Sequence, residues 1–272
     1  MSQLTSIKYI KQIMEMHGVN FSKSLGQNFL TDDNIVTKIA DGADIGPEDG
    51  VLEIGPGIGS LTEKLLNRAK KVVSVEIDKA LWPILEEHFS TAPHFELVKE
   101  DVLKLDLNAL IAEKFADCQR VKVVANLPYY ITTPIIMNFL EAGVAVSDIV
   151  VMIQREVADR INAVPRTKAY GSLSVSAQFY AAPQILFIVP KGVFVPQPKV
   201  DSAVIKLTVL ERPRIALESN AVFFKTVKAA FAQRRKTLLN TLSSPTNRAE
   251  QLNVEDFGRL ADEIYRFQKT TE

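Results

Sequence analysis

The residues best suited to chemistry lie where an apolar, β-branched stretch, residues 121–125, runs into the sequence Asn126-Leu127-Pro128-Tyr129. The apolar part is typical of a buried parallel strand, and Pro128 has no N–H with which to continue a central strand. In an open α/β sheet, ligands bind outside the carboxyl ends of the strands. An amide, a main-chain carbonyl and an aromatic face are therefore predicted to meet where a ligand would bind.

These groups suit a planar ring that carries an amine, such as adenine. The side-chain oxygen of Asn126 and the carbonyl of Leu127 could each accept one amine hydrogen, which would leave the nitrogen lone pair directed at an electrophile. Tyr129 would stack on the ring, a contact worth about 1–3 kcal/mol per base. Taken alone, the same residues are equally consistent with a simple turn that ends a strand.

A glycine-rich loop, with Gly55, Gly57 and Gly59, follows the strand-like sequence that begins at Val51. A helix is predicted directly after it, over residues 61–69, and glycines in such a loop let the backbone approach a ligand closely. The Gly-x-Gly-x-Gly spacing differs from the Gly-x-Gly-x-x-Gly of dinucleotide-binding enzymes. We therefore expect a nucleotide-like ligand at this loop.

Two further strands are predicted to end in carboxylates. Glu76 ends the second strand, 21 residues after Gly55, and a carboxylate at this point of a nucleotide-binding unit can accept hydrogen bonds from both ribose hydroxyls. A helix-capping role would suit Asp78 better than Glu76. Asp101 ends the third strand, where it could accept from an adenine amine, although its position is also typical of a cap.

Two segments without a clear period accompany these strands. Residues 23–30 mix amides with apolar side chains, and they fit either a lead-in to the next helix or a cover that lies over the ligand. Residues 194–202 combine Phe194, prolines and Lys199. This loop could hold a base from the side opposite Tyr129, or it could simply be a loop stiffened by proline.

The alternation of strand-like and helix-like stretches predicts an α/β fold. The helix after the fourth strand is expected to have Pro134 at its first position, and another helix is expected over residues 170–180. Residues 184–189 and 202–210 resemble a hairpin that closes the sheet edge.

After Pro213 the pattern changes to helices only, which predicts a nucleotide-binding domain with an N-terminal helical extension in residues 1–211 and a small helical domain in residues 212–272. The net charge of the chain is zero, but residues 185–240 hold ten basic and three acidic side chains. A basic region of this kind can bind phosphates, or it can be an ordinary solvated surface. The candidate RNA contacts are Lys199, Lys225, Lys228, Arg234, Arg235 and Lys236.

The composition is that of an ordinary globular protein of 272 residues, with 47% hydrophobic and 24% charged residues. No apolar run is long enough to span a membrane, and the amino terminus lacks a signal-peptide core. The single cysteine, Cys118, can form no internal disulfide and has no partners for a metal site. These features predict a cytoplasmic protein and exclude a disulfide-stabilised secreted domain.

Six motifs occur in one order over most of the chain: Gly26–Leu30, Glu53–Gly59, Val75–Asp78, Glu100–Asp101, Asn126–Tyr129 and Phe194–Ser202. Together they closely resemble the rRNA adenine dimethyltransferase family, and residues 231–240 resemble its small-subunit branch. The family usually has Asn after the motif tyrosine, where this chain has Tyr130, so the resemblance assigns no role to that side chain.

The resemblance implies a Rossmann-like class I methyltransferase fold, with a seven-stranded, mostly parallel sheet, helices on both faces and S-adenosyl-L-methionine over its switch point. The implied cofactor contacts are Asn28, Leu30, Gly55, Gly57, Glu76, Asp101 and Asn126. The implied catalytic motif is Asn126, Leu127, Pro128 and Tyr129, and the candidate clamp for the target base is Tyr129 with Phe194.

The resemblance also implies two successive methyl transfers to the amine of each of two adjacent adenines in a small-subunit (16S) rRNA hairpin. A monomer would act without metal on an assembling 30S particle. Three alternatives remain from sequence: a large-subunit rRNA methyltransferase that confers antibiotic resistance, an assembly checkpoint with secondary catalysis, and a nicotinamide-dependent oxidoreductase. The glycine spacing and the Asn-Leu-Pro-Tyr motif count against the oxidoreductase.

Overall fold

The structure is a computed structural model that describes residues 3–19, 26–232 and 248–271. The strands in these residues are β1 (Phe29–Leu30), β2 (Asp49–Ile54), β3 (Lys71–Val75), β4 (Phe95–Val98), β5 (Arg120–Asn126), β6 (Asp148–Gln154), β7 (Ala181–Val189), β8 (Phe194–Val195) and β9 (Ser202–Val209). The helices are α1 (Ile7–Met16), α2 (Asp33–Gly42), α3 (Ser60–Leu66), α4 (Trp82–Phe89), α5 (Leu107–Lys114), α6 (Thr132–Glu141), α7 (Arg155–Asn162), α8 (Ser172–Tyr180), α9 (Asn220–Ala232) and α10 (Val254–Thr271).

Seven of the strands form one sheet in the order β4-β3-β2-β5-β6-β9-β7. The pairs from β4 to β6 are parallel, and β9 is antiparallel to β6. The predicted α/β class with a seven-stranded, mostly parallel sheet is confirmed. The predicted hairpin at the sheet edge is also confirmed, because β7 is the edge strand and β9 is its neighbour.

The central strands are apolar because they are covered on both faces, as parallel sheets are. Val123, Val124 and Ala125 of β5 are all fully buried. One core cluster joins α2 and α3 to the sheet through Val36, Ile39, Leu61, Leu65, Val51, Val124 and Val150. Another joins α1 and α4 through Ile10, Met14, Ile84, Leu85 and Phe89.

The amino ends of the strands carry a buried group of charges. Lys122, only 1% exposed, donates to two main-chain carbonyls that follow α2, at 2.9 and 2.5 Å. Its Nζ also lies 3.8 Å from a carboxylate oxygen of Asp49 and 3.6 Å from one of Asp148. Arg120 donates to both carboxylate oxygens of Asp49, at 3.0 and 3.1 Å. Each buried charge of this network is therefore paired.

The helix α6 begins two residues earlier than predicted. Thr132 is its first residue and Ile131 its N-cap, so Pro134 occupies the third position, not the first. A proline fits there because the N–H groups of the first helical turn have no partner within the helix. The hydroxyl of Thr132 donates to the carbonyl of Pro128 at 3.1 Å, which ties this helix to the tip of β5.

The chain divides into two compact units, residues 1–155 with 184–208, and residues 156–183 with 209–272. The second unit has its own aromatic core, in which the rings of Phe179 and Phe223 lie 4.7 Å apart. The units differ from the predicted domains in residues 156–183 and 209–211, and α8, within the first of these segments, contributes Phe179 to the core of the second unit. The predicted boundary between separate domains at 211/212 stays a prediction.

Candidate active site

A pocket opens at the carboxyl ends of β2, β3, β4 and β5, within the first unit. Its lining includes ten of the residues that the sequence indicated: Asn28, Leu30, Gly55, Gly57, Glu76, Asp101, Asn126, Leu127, Pro128 and Tyr129. The strand order brings these distant segments to one place, since parallel strands end at the same edge of the sheet.

The glycine loop forms the floor of this pocket. Gly55 and Gly57 have φ values of +66° and +63°, a region that favours glycine. A Cβ at Gly57 would lie 3.1 Å from the ring of Phe29, whereas a Cβ at Gly55 would meet nothing within 4 Å and would project into open space. The loop therefore leaves room at Gly55 for a ligand to approach the backbone.

Glu76 lies directly after β3 and is 5% exposed. Its Oε1 accepts from the main-chain N–H of Asp78 at 2.8 Å, and its Oε2 accepts from the N–H of Gly57 at 3.4 Å. Burial raises the pKa of Glu76 to about 7. The helix-capping role expected of Asp78 is wrong, because α4 begins at Trp82 with Leu81 as its N-cap; the Asp78 carboxylate instead accepts from the N–H of Ala80 at 3.0 Å, in the turn before that helix.

Glu53 is a pocket residue to which the sequence motifs assigned no role of its own. Its Oε2 accepts from the hydroxyls of Thr62 and Ser74, both at 2.7 Å, whereas its Oε1 is buried and has no hydrogen-bond partner among the described residues. Burial raises the pKa of Glu53 to about 7. A glutamate in an otherwise apolar strand sequence, two residues before Gly55, is the signal that could have identified it.

The side chain of Asn126 is oriented by the segment of residues 26–30. Its Nδ2 donates to the carbonyl of Asn28 at 3.2 Å, which leaves its Oδ1 for another donor. Leu127 donates its N–H to Met152 at 3.1 Å, and no donor contacts the Leu127 carbonyl within the described ranges. Two acceptor oxygens are therefore offered at the tip of β5.

Tyr129 is half-buried, and its hydroxyl lies 2.7 Å from the hydroxyl of Ser202. Ser202 is the first residue of β9 and is fully buried. Burial raises the pKa of the Tyr129 phenol, so the ring stays neutral. The hydrogen bond fixes the hydroxyl end of the side chain, and Tyr129 lines the pocket.

Asp101 caps a short turn and also lines the pocket. Its carboxylate accepts from the N–H of Leu103 at 3.0 Å and so caps the short turn Val102–Lys104. It also lines the pocket. The segment 26–30 likewise lies against the pocket, and Gln27 anchors it by donating to Asp78 at 2.6 Å.

The structure does not bring Phe194 to the pocket. Its side chain is 3% exposed and packs in the sheet core, because β8 pairs with β1 and places Phe194 opposite Leu30. The predicted base clamp by Phe194 is therefore absent from this structure. Lys199, Lys225 and Lys228 are described and exposed, whereas the candidates Arg234, Arg235 and Lys236 lie outside the described residues.

The family model for ribosomal RNA adenine dimethylases matches residues 18–264 of this chain. The chain belongs to the ribosomal RNA adenine dimethylase family. The resemblance seen in the sequence motifs is thereby confirmed, and the pocket at the carboxyl ends of the strands belongs to an rRNA methyltransferase.

Relatives within the family match over nearly their whole length. The ribosomal RNA small subunit methyltransferase A of Alkaliphilus oremlandii is 49% identical, over 97% of this chain and 99% of that protein. The protein of the same name from Geobacillus thermodenitrificans is 54% identical, over 93% of this chain and 94% of that protein.

Two solved structures share the fold and more than a quarter of the sequence. A dimethyladenosine transferase from Plasmodium falciparum superposes with a TM-score of 0.72 and 26% identity, covering 88% of this chain and 97% of that chain. The 23S rRNA methyltransferase ErmE superposes with a TM-score of 0.63 and 27% identity, covering 90% of this chain and all of that one.

Two kinds of feature are absent from the described residues. None of the helices there combines the length and the apolar character that crossing a membrane requires. In the same residues, no three His, Cys, Asp or Glu side chains are grouped so that they could hold a metal ion.

Proposed function

We propose that this chain transfers two methyl groups from S-adenosyl-L-methionine to the exocyclic amine of each of two adjacent adenines in small-subunit (16S) rRNA. The observation that carries the proposal is the tip of β5, where Asn126 and Leu127 offer two acceptor oxygens beside the ring of Tyr129. Near-full-length relatives named for the small ribosomal subunit support the choice of rRNA.

The pocket offers carboxylate acceptors, and S-adenosyl-L-methionine carries hydrogen-bond donors that would pair with them. Glu76 would accept from its ribose hydroxyls and Asp101 from its adenine amine. Among the residues that the structure describes, none donates to the buried Oε1 of Glu53, and a donor such as the ammonium of the cofactor would satisfy it. The open space at Gly55 leaves the backbone accessible. Asn28 and Leu30 would cover the cofactor from the segment anchored by Gln27.

The target adenine would be unstacked from its neighbours and bound against Tyr129. The side-chain oxygen of Asn126 and the carbonyl of Leu127 would each accept one hydrogen of its amine. This arrangement favours a pyramidal nitrogen whose lone pair faces the cofactor. Pro128 supports this arrangement of acceptors. Its turn ends the pairing of β5 with the neighbouring strand, so the Leu127 carbonyl has no partner in that strand.

Bound S-adenosyl-L-methionine would supply an electrophilic methyl group on its sulfonium. The contribution of the chain is then positioning and polarisation, since Asn126 is neutral and is a poor proton acceptor. The methylated nitrogen is acidic enough to lose its proton to water. For the second transfer, the monomethylated amine must rotate so that its remaining hydrogen reaches one of the two acceptors.

The rRNA contacts would come from basic side chains outside the pocket. Lys199 lies in the loop before β9, and Lys225 and Lys228 lie on α9. Phosphate contacts of this kind make binding depend on salt concentration. We further propose that the chain acts as a cytoplasmic monomer on an assembling 30S particle.

The direct test is to incubate the purified chain with isotope-labelled S-adenosyl-L-methionine and ribosomal subunits that lack dimethyladenosine. After digestion of the rRNA, mass spectrometry should find labelled dimethyladenosine from the small subunits and none from the large subunits. Label in the large subunits alone would favour the antibiotic-resistance alternative. No labelled adenosine from either subunit would refute the proposed activity.

A further inference from the structure

Tyr130 is an exposed aromatic side chain at the mouth of the pocket. It is 54% exposed, and it directly follows Tyr129 of the catalytic motif. Large apolar side chains that stay exposed around a concave site are typical of ligand-binding surfaces. Ile77 and Leu103, which are 45% and 40% exposed, line the same pocket. The exposed apolar surface therefore gathers beside the carboxylates, not only at the tip of β5.

The ring of Tyr130 packs over the segment that covers the pocket. A Cβ at Gly26 would lie 3.3 Å from Cδ1 and 3.7 Å from Cε1 of Tyr130. Gly26 has a φ of +60°, which favours glycine. A residue with a side chain at this position would press on the ring, so the glycine allows the segment and the ring to lie in contact.

Tyr130 lines the pocket together with Glu76 and Asp101, the two carboxylates proposed to bind the adenosine portion of the cofactor. Burial, and then the negative charges of Asp101 and Glu76, raise the pKa of the Tyr130 phenol. The phenol is therefore neutral. Tyr129 instead directs its hydroxyl to Ser202. The two consecutive tyrosines thus have different neighbours, Ser202 for Tyr129 and Gly26 for Tyr130.

From this geometry, and on the basis of the proposed function, we propose that Tyr130 retains the cofactor. Its ring lies over the adenosine portion of S-adenosyl-L-methionine, supported by Gly26, and slows its release. The ring performs this role, because it is the part of the side chain that lies against the covering segment at Gly26. Tyr130 is then a binding residue for the cofactor, whereas Tyr129 contacts the target base.

The test is calorimetric titration of the full chain with S-adenosylhomocysteine in the absence of RNA. Because stacking of an aromatic side chain on a base contributes about 1–3 kcal/mol, Tyr130→Ala should raise the Kd by roughly 5- to 150-fold. Tyr130→Phe should keep the Kd within about twofold of the unsubstituted chain, since it retains the ring. Phe267→Ala, which removes an exposed aromatic side chain on α10 outside the pocket, should leave the Kd unchanged.

Equal binding by Tyr130→Ala and the unsubstituted chain would overturn the inference, as would equal losses in the Ala and Phe variants. An increase only in the KM for rRNA would move Tyr130 to the RNA side and also overturn it. Failure of the unsubstituted chain to bind S-adenosylhomocysteine would instead refute the proposed function. Tyr130→Asn provides a second variant that removes the ring, and circular dichroism verifies that each variant is folded.

Discussion

Buried charges lie at both ends of the central sheet, and the two ends differ in how those charges are compensated. At the amino ends, Lys122 lies between the carboxylates of Asp49 and Asp148. At the carboxyl ends, Glu53 and Glu76 accept hydrogen bonds only from hydroxyl and main-chain N–H groups, and neither forms a salt bridge within the described residues. The buried charges at the amino ends are paired with opposite charges, whereas the buried carboxyls at the carboxyl ends are not.

The pKa values follow this difference. Burial acts to raise the pKa of Asp148, but the hydrogen bond from Ser147 and the charges of Lys206 and Lys122 lower it below the usual value. Burial raises the pKa of both Glu53 and Glu76 to about 7, because no cation offsets the loss of water. Buried carboxyls in a cleft with such shifts are typical of functional sites.

The charges at the amino ends stabilise the fold, whereas the carboxyls at the carboxyl ends are available to bind a ligand. A paired buried lysine holds three strands and a loop together, and its loss affects the fold. Two carboxyls without cations reduce the stability of the ligand-free protein near neutral pH and gain their compensation from a ligand. Substitutions at the two ends should therefore affect different properties.

The largest effect is expected for Lys122→Met, which leaves Asp49 and Asp148 buried without their shared cation. Loss of one partner from a buried ion pair costs about 3–5 kcal/mol, or more than about 100-fold in the unfolding equilibrium. The measurement is urea unfolding followed by circular dichroism. Lys38→Met, on the exposed side of α2, is the matched control. Equal midpoints for the two variants would show that the network does not stabilise the fold.

The next largest effect is expected for Asn126→Ala, which removes an acceptor of the target amine. Misplacement of a reacting group by about 1 Å can cost about 100-fold in rate, so kcat should fall at least that much while the Kd for S-adenosylhomocysteine changes little. Single-turnover methylation of small subunits measures the rate. Asn67→Ala, an exposed asparagine after α3, is the control. Normal turnover by Asn126→Ala would contradict the assigned role.

The pH dependence of the unfolding free energy tests whether Glu53 and Glu76 are buried without a compensating cation. The folded pKa values of Glu53 and Glu76, about 7, exceed the ordinary value of 4.5, so the folded chain binds more protons than the unfolded chain. Their contribution to stability is therefore fully present below about pH 4.5 and is lost as the pH rises through about 7. The unfolding free energy without ligand should fall across this window, and Glu53→Gln should weaken the decline.

The affinity for the cofactor should rise with pH, whereas the unfolding free energy falls. Each carboxyl must lose its proton before it can accept donors from the ligand, so the affinity for S-adenosylhomocysteine should rise about tenfold per carboxyl between about pH 6 and pH 8. Calorimetric titration at several pH values measures this rise. A Kd that is constant across the window would show that neither carboxyl titrates on binding.

The smallest effect is expected for Ser202→Ala, which removes the hydrogen bond to Tyr129. A hydrogen bond of this kind contributes about 0.5–1.5 kcal/mol, so kcat/KM for rRNA should fall about 2- to 12-fold with the cofactor Kd unchanged. Tyr129→Phe should lose a similar amount. The double variant should lose no more than either single one, because all three lack the same bond. Additive losses would place the two residues in separate roles.

Much of the pocket could be predicted because its residues follow local rules. Strand-ending carboxylates such as Glu76, a glycine loop before a helix, and a proline that ends a strand all carry their signal within a few residues. The parallel order of strands then brings those ends together. This is why the sequence predicts the tip at Asn126 to lie at a ligand-binding edge.

The rest could not be predicted, because it depends on contacts between distant segments. The sequence predicts Phe194 at the target base, but the pairing of β8 with β1, across more than half of the chain, buries it. Glu53 stands in the sequence only as part of a glycine motif, because the lack of a partner for its Oε1 becomes visible only in the packed structure. The helical unit gains α8 through the packing of Phe179 on Phe223, which no local pattern encodes.

The most direct test of the central claim is a crystal structure of this chain with S-adenosylhomocysteine. The account predicts the ribose at Glu76, the adenine amine at Asp101, and the sulfur facing the tip of β5 between Asn126 and Tyr129. A ligand bound elsewhere, or one whose sulfur faces away from Asn126, would contradict it.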